Sequence, residues 1–265
     1  VPRSPAARRG ADTPDFAVSP NRLDLWLLRS PGGAAADMLD RSELDPAERL
    51  RAAAFRRPAD GLLYAAAHVA LRRLLARYTG VPPQALRFVR EPCPGCGAAH
   101  GRPAVDHGTP HFSLSHSGGL ALVAVAARPV GADVQALPRE ETVELCASSL
   151  HPCERAELDA AHGPDRRVLF GRIWTRKEAY LKGLGTGLSR PPGMDYLGAD
   201  TGRHPDGWAV LDVPCPATHT AAAVVRGSAP AVVRVRGLGG DWLRARGGGG
   251  DRVRGRSRTR PAQGR

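Results

Sequence analysis

No run of this sequence approaches the length of a membrane span, and the arginine-bearing amino terminus has no apolar signal segment. A cytoplasmic protein is therefore expected, although a mature chain whose signal had been removed would read the same way. The five cysteines are odd in number and follow no regular framework, which argues against a disulfide scaffold. No fixed period marks an internal repeat, and no nucleophile elbow accompanies the one Ser-His neighbour pair of interest. Acidic residues are scarce, 26 against 38 Lys and Arg, for a formal charge of +12. Between Gly237 and Arg265 stand eight Arg and two Asp, a net of +6, so half the excess lies in that terminal stretch. It has almost no aromatic side chains to stack on bases, so a solvated, disordered tail is expected over a nucleic-acid arm. The remaining basicity suits an anionic small molecule or an acidic protein surface at least as well as nucleic acid.

What is present suffices for a substantial core: 265 residues, 42% hydrophobic. After a loose lead-in over residues 1–20, alternating leucines predict a strand over 22–28, with Asp24 and Trp26 on the second face. Asp45-Pro-Ala-Glu48 has the form of a capped helix start and predicts a helix to about Phe55, and a longer helix follows over about 59–78. Short strands are expected at 86–90, 120–127 and around Asp133. A fragmented helix follows near 143–150, then one from Pro152 and a strongly helical stretch over 166–182. Strand-like runs at 208–213, 221–225 and 231–235 complete an α+β pattern.

Three polar clusters carry the chemistry. Trp174, Glu178 and Lys182 recur at helical spacing of four before Gly-Leu-Gly-Thr-Gly187 ends the helix. Glu178 and Lys182 alone read equally well as an ordinary surface pair. Asp133 interrupts an apolar strand, where an acid needs a partner or a metal unless it caps a turn. His111-Phe-Ser-Leu-Ser-His-Ser-Gly118 ends in small polar residues before a glycine pair, where donors meet an anion close to the backbone. Ser115 and His116 point apart on an extended strand, which disfavours a serine hydrolase. Asp133 and Glu178 could share one Mg2+, with Lys182, His116 and Arg102 balancing phosphate charge. Cys93-Pro-Gly-Cys96 resembles half a zinc knuckle, with His100 and His107 as further ligands. A metal-free turn and a reducible cysteine pair stay open beside it.

In order and spacing, Phe112–Gly118, Gly131-Ala-Asp-Val-Gln135 and Trp174–Lys182, with Gly101-Arg-Pro103 before them, resemble the motifs of the 4'-phosphopantetheinyl transferase family, in its long, pseudodimeric surfactin-synthetase-activating type. The resemblance runs from about Leu23 to Val235. It implies two similar α+β subdomains, residues 21–128 and 129–236, forming an intramolecular pseudodimer, with the tail at 237–265. It also implies transfer of the 4'-phosphopantetheine arm of coenzyme A to a serine of an acyl, polyketide or peptidyl carrier protein, with Mg2+. Asp133 and Glu178 match the metal-binding acids, and Gln135 stands where several members have Glu. Glu178 is also the candidate to accept the serine proton, and Lys182 to neutralise phosphate. Ser115, His116 and Arg102 correspond to coenzyme A contacts, and Arg49 and Arg51 to the nucleotide phosphate grip. Asp60-Gly-Leu-Leu63 departs from the pattern by lacking a basic residue. A monomer is expected. An inactive coenzyme A or nucleotide binding protein, and more distantly a nucleic-acid-binding protein, are the alternatives.

Overall fold

The computed structural model describes residues 16–106 and 108–243. Its elements are β1 (Arg22–Arg29), α1 (Ala34–Asp37), α2 (Pro46–Ala53), α3 (Pro58–Thr79), β2 (Phe88–Arg90), β3 (Pro103–Val105), β4 (His111–Ser117), β5 (Leu120–Ala126) and β6 (Val130–Ala136). They continue with α4 (Glu140–Ala147), α5 (Pro152–Ala160), α6 (Gly163–Leu184), β7 (Trp208–Asp212), β8 (His219–Arg226) and β9 (Val232–Leu238). This is a mixed α+β fold.

Two sheets form its middle, one ordered β4-β5-β1-β9 and the other β6-β8-β7, with β2 and β3 as a separate ribbon. Leu23, Leu25, Leu122 and Ala124 from the first sheet meet Val130, Ala132, Val134 and Ala223 from the second in a core between the sheets. The opposite face of the first sheet, with Trp26, Leu28, Val123 and Phe112, packs on α3. Ala222 and Val224 of the second sheet pack on Ala179 and Tyr180 of α6. The order of layers is thus α3, sheet, sheet, α6. Strands with both faces covered read as nearly continuous apolar runs, which is why β5 is Leu-Ala-Leu-Val-Ala-Val-Ala.

Local signals set the helix ends. Asp45 accepts from the backbone N–H of Glu48, and Glu48 from that of Asp45, closing a capping box on α2. Both 22-residue helices, α3 and α6, have proline in the first turn and stop at a left-handed glycine, Gly80 and Gly185. Asp24, expected on the second face of β1, is buried there, ion-paired to Arg22 at 2.9 Å and accepting from the Tyr78 hydroxyl at 2.7 Å.

Two boundaries move. The expected tail from Gly237 starts too early: β9 runs parallel to β1 with Leu238 opposite Leu28, and Leu243 is buried against α3. Val232, Val233 and Val235 are each exposed on an edge strand, which hides how much of this stretch the sheet needs. At the other end Phe16, assigned to the lead-in, stacks on Trp26 with ring centroids 5.6 Å apart. The expectations for residues 1–15 and for the arginines beyond Leu243 fall outside the described residues.

Candidate active site

On β4 the side chains alternate. Phe112, Leu114 and His116 face α3, and Ser113, Ser115 and Ser117 face β6 across the gap between the sheets. The edge N–H groups of Ala132 and Ala136, which have no strand partner on that side, donate to the hydroxyls of Ser113 at 3.0 Å and Ser117 at 3.1 Å. Three serines at alternate positions therefore replace a strand ladder with a seam of side-chain hydrogen bonds. The middle one, Ser115, donates to Asp133 Oδ1 at 2.6 Å.

Asp133 is 1% exposed. Its Oδ1 also accepts from Lys182 Nζ at 2.6 Å, while its buried Oδ2 has no hydrogen-bond partner among the described residues. A buried carboxylate with one oxygen doubly satisfied and the other bare has a place for a cation. Glu178, one turn before Lys182 on α6, is half-buried. Its carboxyl is held above the ordinary value by burial and then by the Asp133 charge, with Lys182 opposing. A divalent ion between Asp133 and Glu178 would relieve both effects. The two acids therefore fit a hard cation, and Gln135 is half-buried on the same face of β6 as Asp133.

Lys182 ties this acid pair to a cavity of about 660 Å³ whose wall it shares with Arg51, Tyr64, His68, Arg90, His100, Arg102 and His116. Arg102 donates to Glu91 and to the Gly183 carbonyl at 2.7 Å, so the ribbon is fastened to the end of α6. His116 lies edge-on to Tyr64, which stacks on His68 at 3.9 Å. Burial, then the charges of His68 and Lys182, hold His116 below its ordinary value, against Asp60 and Asp133. A second hollow of about 650 Å³ is bordered by Arg51, Phe55, Arg56, Arg57 and Asp60.

The structure thus brings Asp133, Glu178, Gln135 and Lys182 into one neighbourhood and sets Arg51, Arg102 and His116 on the adjoining cavity. Two expected phosphate contacts lie elsewhere. Ser115 is buried and bonded to Asp133, because strand alternation turns it away from His116. Arg49 is exposed outside both cavities and donates to the Leu44 carbonyl. The surface-pair reading of Glu178 with Lys182 is replaced by the Lys182–Asp133 pair. Lys177, on the neighbouring face of α6, pairs at 2.7 Å with Glu154, and both are buried. Sequence reasoning passed over Arg90, Tyr64 and His68, and it missed that Arg56 and Arg57 stand beside the stretch that lacks a basic residue. One signal was available: Lys177 and Lys182 are the only lysines in the sequence, which otherwise uses arginine for every fixed cation.

Residues 129–219 match the family model of the 4'-phosphopantetheinyl transferase superfamily. HetI of Nostoc sp., named a 4'-phosphopantetheinyl transferase, is 30% identical over 185 residues, covering 67% of this chain and 74% of HetI. This chain belongs to the 4'-phosphopantetheinyl transferase family. The matched segment of the superfamily contains the Asp133 strand and the whole of α6, the two elements that bear the acid pair. A Synechocystis sp. protein, slr0495, is 32% identical over 151 residues, 55% of this chain and 58% of its own length. A 4'-phosphopantetheinyl transferase of Bacillus subtilis is 33% identical over 81 residues, 31% of this chain and 36% of its own length. Against these two family members the match thus spans less than two thirds of the relative.

Proposed function

We propose that this chain transfers the 4'-phosphopantetheine arm of coenzyme A to a serine of an acyl or peptidyl carrier protein, releasing adenosine 3',5'-bisphosphate, with Mg2+ at Asp133 and Glu178. The observation that carries this reading is the bare Oδ2 of buried Asp133 beside Lys182, at the wall of a cavity bearing Arg51, Arg102 and His116. Family membership and the name of HetI support the same reaction.

In this reading the carrier serine oxygen attacks the pantetheine-bearing phosphorus of the diphosphate. The new P–O bond forms as the bond to the bridging oxygen breaks, and the bisphosphate leaves with that oxygen. Glu178 accepts the serine proton, directly or through a water. Lys182, fixed by Asp133, offsets charge on the leaving phosphate. Arg102 and His116 bind the nucleotide, with Arg51 on its phosphates. The bound ion would supply charge neutralisation at the diphosphate.

The two halves, joined near Arg128, form a pseudodimer in this reading. Each lays one 22-residue helix on a sheet, with proline in its first turn and a left-handed glycine at its end. The carrier is acidic and docks near exposed Arg51, Arg56 and Arg57. Polyketide and nonribosomal peptide carriers are the favoured partners, met by a monomeric enzyme in the cytoplasm. Among the described residues no helix is long and apolar enough to cross a membrane.

Chromatography of nucleotide products tests the reading. With coenzyme A, Mg2+ and an apo carrier, adenosine 3',5'-bisphosphate should accumulate, and EDTA should stop it. Coenzyme A that binds by calorimetry yet yields no bisphosphate with polyketide, peptide or fatty-acid carriers would mark a binding protein instead.

A further inference from the structure

The connection from β2 to β3 contains Cys93-Pro-Gly-Cys-Gly97 and His100. It folds as a tight knuckle. The Cys93 N–H donates to the Ala98 carbonyl and the Gly97 N–H to the Cys93 carbonyl, each at 2.8 Å. Gly97 sits at φ 75°, which the turn requires and other residues resist. The backbone N–H groups of Gly95 and Cys96 point at the Cys93 sulfur. Cys96 Sγ lies 3.0 Å from His100 Nε2, and one ligand atom from each of Cys93, Cys96 and His100 falls within 4.8 Å of the others.

We propose that Cys93, Cys96 and His100 bind a zinc ion. Two sulfurs and an imidazole suit zinc over a hard cation. Tetrahedral zinc holds sulfur and nitrogen about 3.6 Å apart, so the Cys96–His100 pair needs to open by only a fraction of an ångström. Backbone donors to a sulfur stabilise the thiolate that zinc requires, and they are already in place. A water takes the fourth position on the exposed side, where Cys96 and His100 lie. His107, the other candidate ligand, falls outside the described residues. Each thiol loses its proton as its S–Zn bond forms, and no electrons are exchanged.

The ion would fasten the strand ends that hold Arg102. Glu91 and Arg102 pair across the base of this loop, N–H to carbonyl at 3.0 Å, and His100, Gly101 and Arg102 all line the cavity. The zinc assignment rests on the knuckle alone and is independent of the transferase reading.

Metal analysis of the full chain, grown with added zinc and passed through gel filtration, is the test. About one zinc per chain should be present, should be released by a mercurial that titrates thiols, and should be absent from Cys96→Ser. Cobalt(II) in its place should give thiolate charge-transfer absorption. Folded wild-type chain without zinc, zinc retained by the Cys93→Ser, Cys96→Ser double variant, or a Cys93–Cys96 disulfide under reducing purification would each overturn the proposal. If the variants fail to fold, mercurial release from wild type decides alone.

Discussion

At Asp133 one carboxylate oxygen accepts from both Ser115 and Lys182, and the other has no hydrogen-bond partner among the described residues. Ser115→Ala removes a hydrogen bond to a charged, buried group, so it should cost about 1.5–3 kcal/mol in denaturant unfolding and lower turnover by loosening Asp133. Ser117→Ala, which removes only an acceptor for a backbone N–H, should cost less. His68 and His116 give a pH signature. Burial is the first cause holding both below the ordinary 6.5. Near pH 6 the unfolded chain binds more protons at these positions than the folded chain does. Their neutral forms thus cost no stability above about pH 6.5, and stability should fall as pH drops from there toward their folded values. A His68→Gln, His116→Gln protein should show a flatter midpoint between pH 7.5 and 5.5; an unchanged slope would place the acid sensitivity elsewhere. Asp133 was legible as an acid in an apolar strand, and Glu178 and Lys182 by helical spacing. Ser115 was misplaced because family correspondence set it beside His116 on the anion, although neighbours on a strand face opposite ways.

Among the elements, β6 meets the backbone of α6 at Gly131. A Cβ there would lie 1.9 Å from the Ala179 carbonyl oxygen and 2.4 Å from the Gly183 nitrogen, both backbone atoms that cannot rotate away. Gly131→Ala should therefore force α6 off the sheet, at about 3 kcal/mol or more, and separate Lys182 from Asp133. Near-wild-type stability and turnover of this variant would contradict the packing. Gly119→Ala has open space around it and pays only for its positive φ, so it should cost less. The helices were legible because capping residues, prolines and glycines mark their ends. The strands were legible from apolar alternation. The serine seam was not, since side-chain bonds between sheet edges leave no periodic signal in either strand.

Across the whole molecule the last strand closes on the first. Leu238, Trp242 and Leu243 reach the core around Trp26 and α3, so a chain ending at Ala231 loses several buried side chains at about 2–5 kcal/mol each. That loss is comparable with a domain's total stability of about 5–15 kcal/mol, and the truncated chain should not fold cooperatively. A chain ending at Leu243 retains these side chains and should still unfold cooperatively. The parallel pairing of β9 with β1 could not be read from the sequence, because partners separated by two hundred residues share no local signal. The proposed phosphopantetheine transfer takes place at the Asp133–Glu178 site. Intact-mass measurement of an apo carrier protein, incubated with coenzyme A, Mg2+ and this chain, tests it most directly. A phosphopantetheine adduct that is lost on carrier Ser→Ala and on Glu178→Gln is the predicted result. An adduct formed undiminished by Glu178→Gln, or none on any carrier class with folded protein that binds coenzyme A, would contradict it.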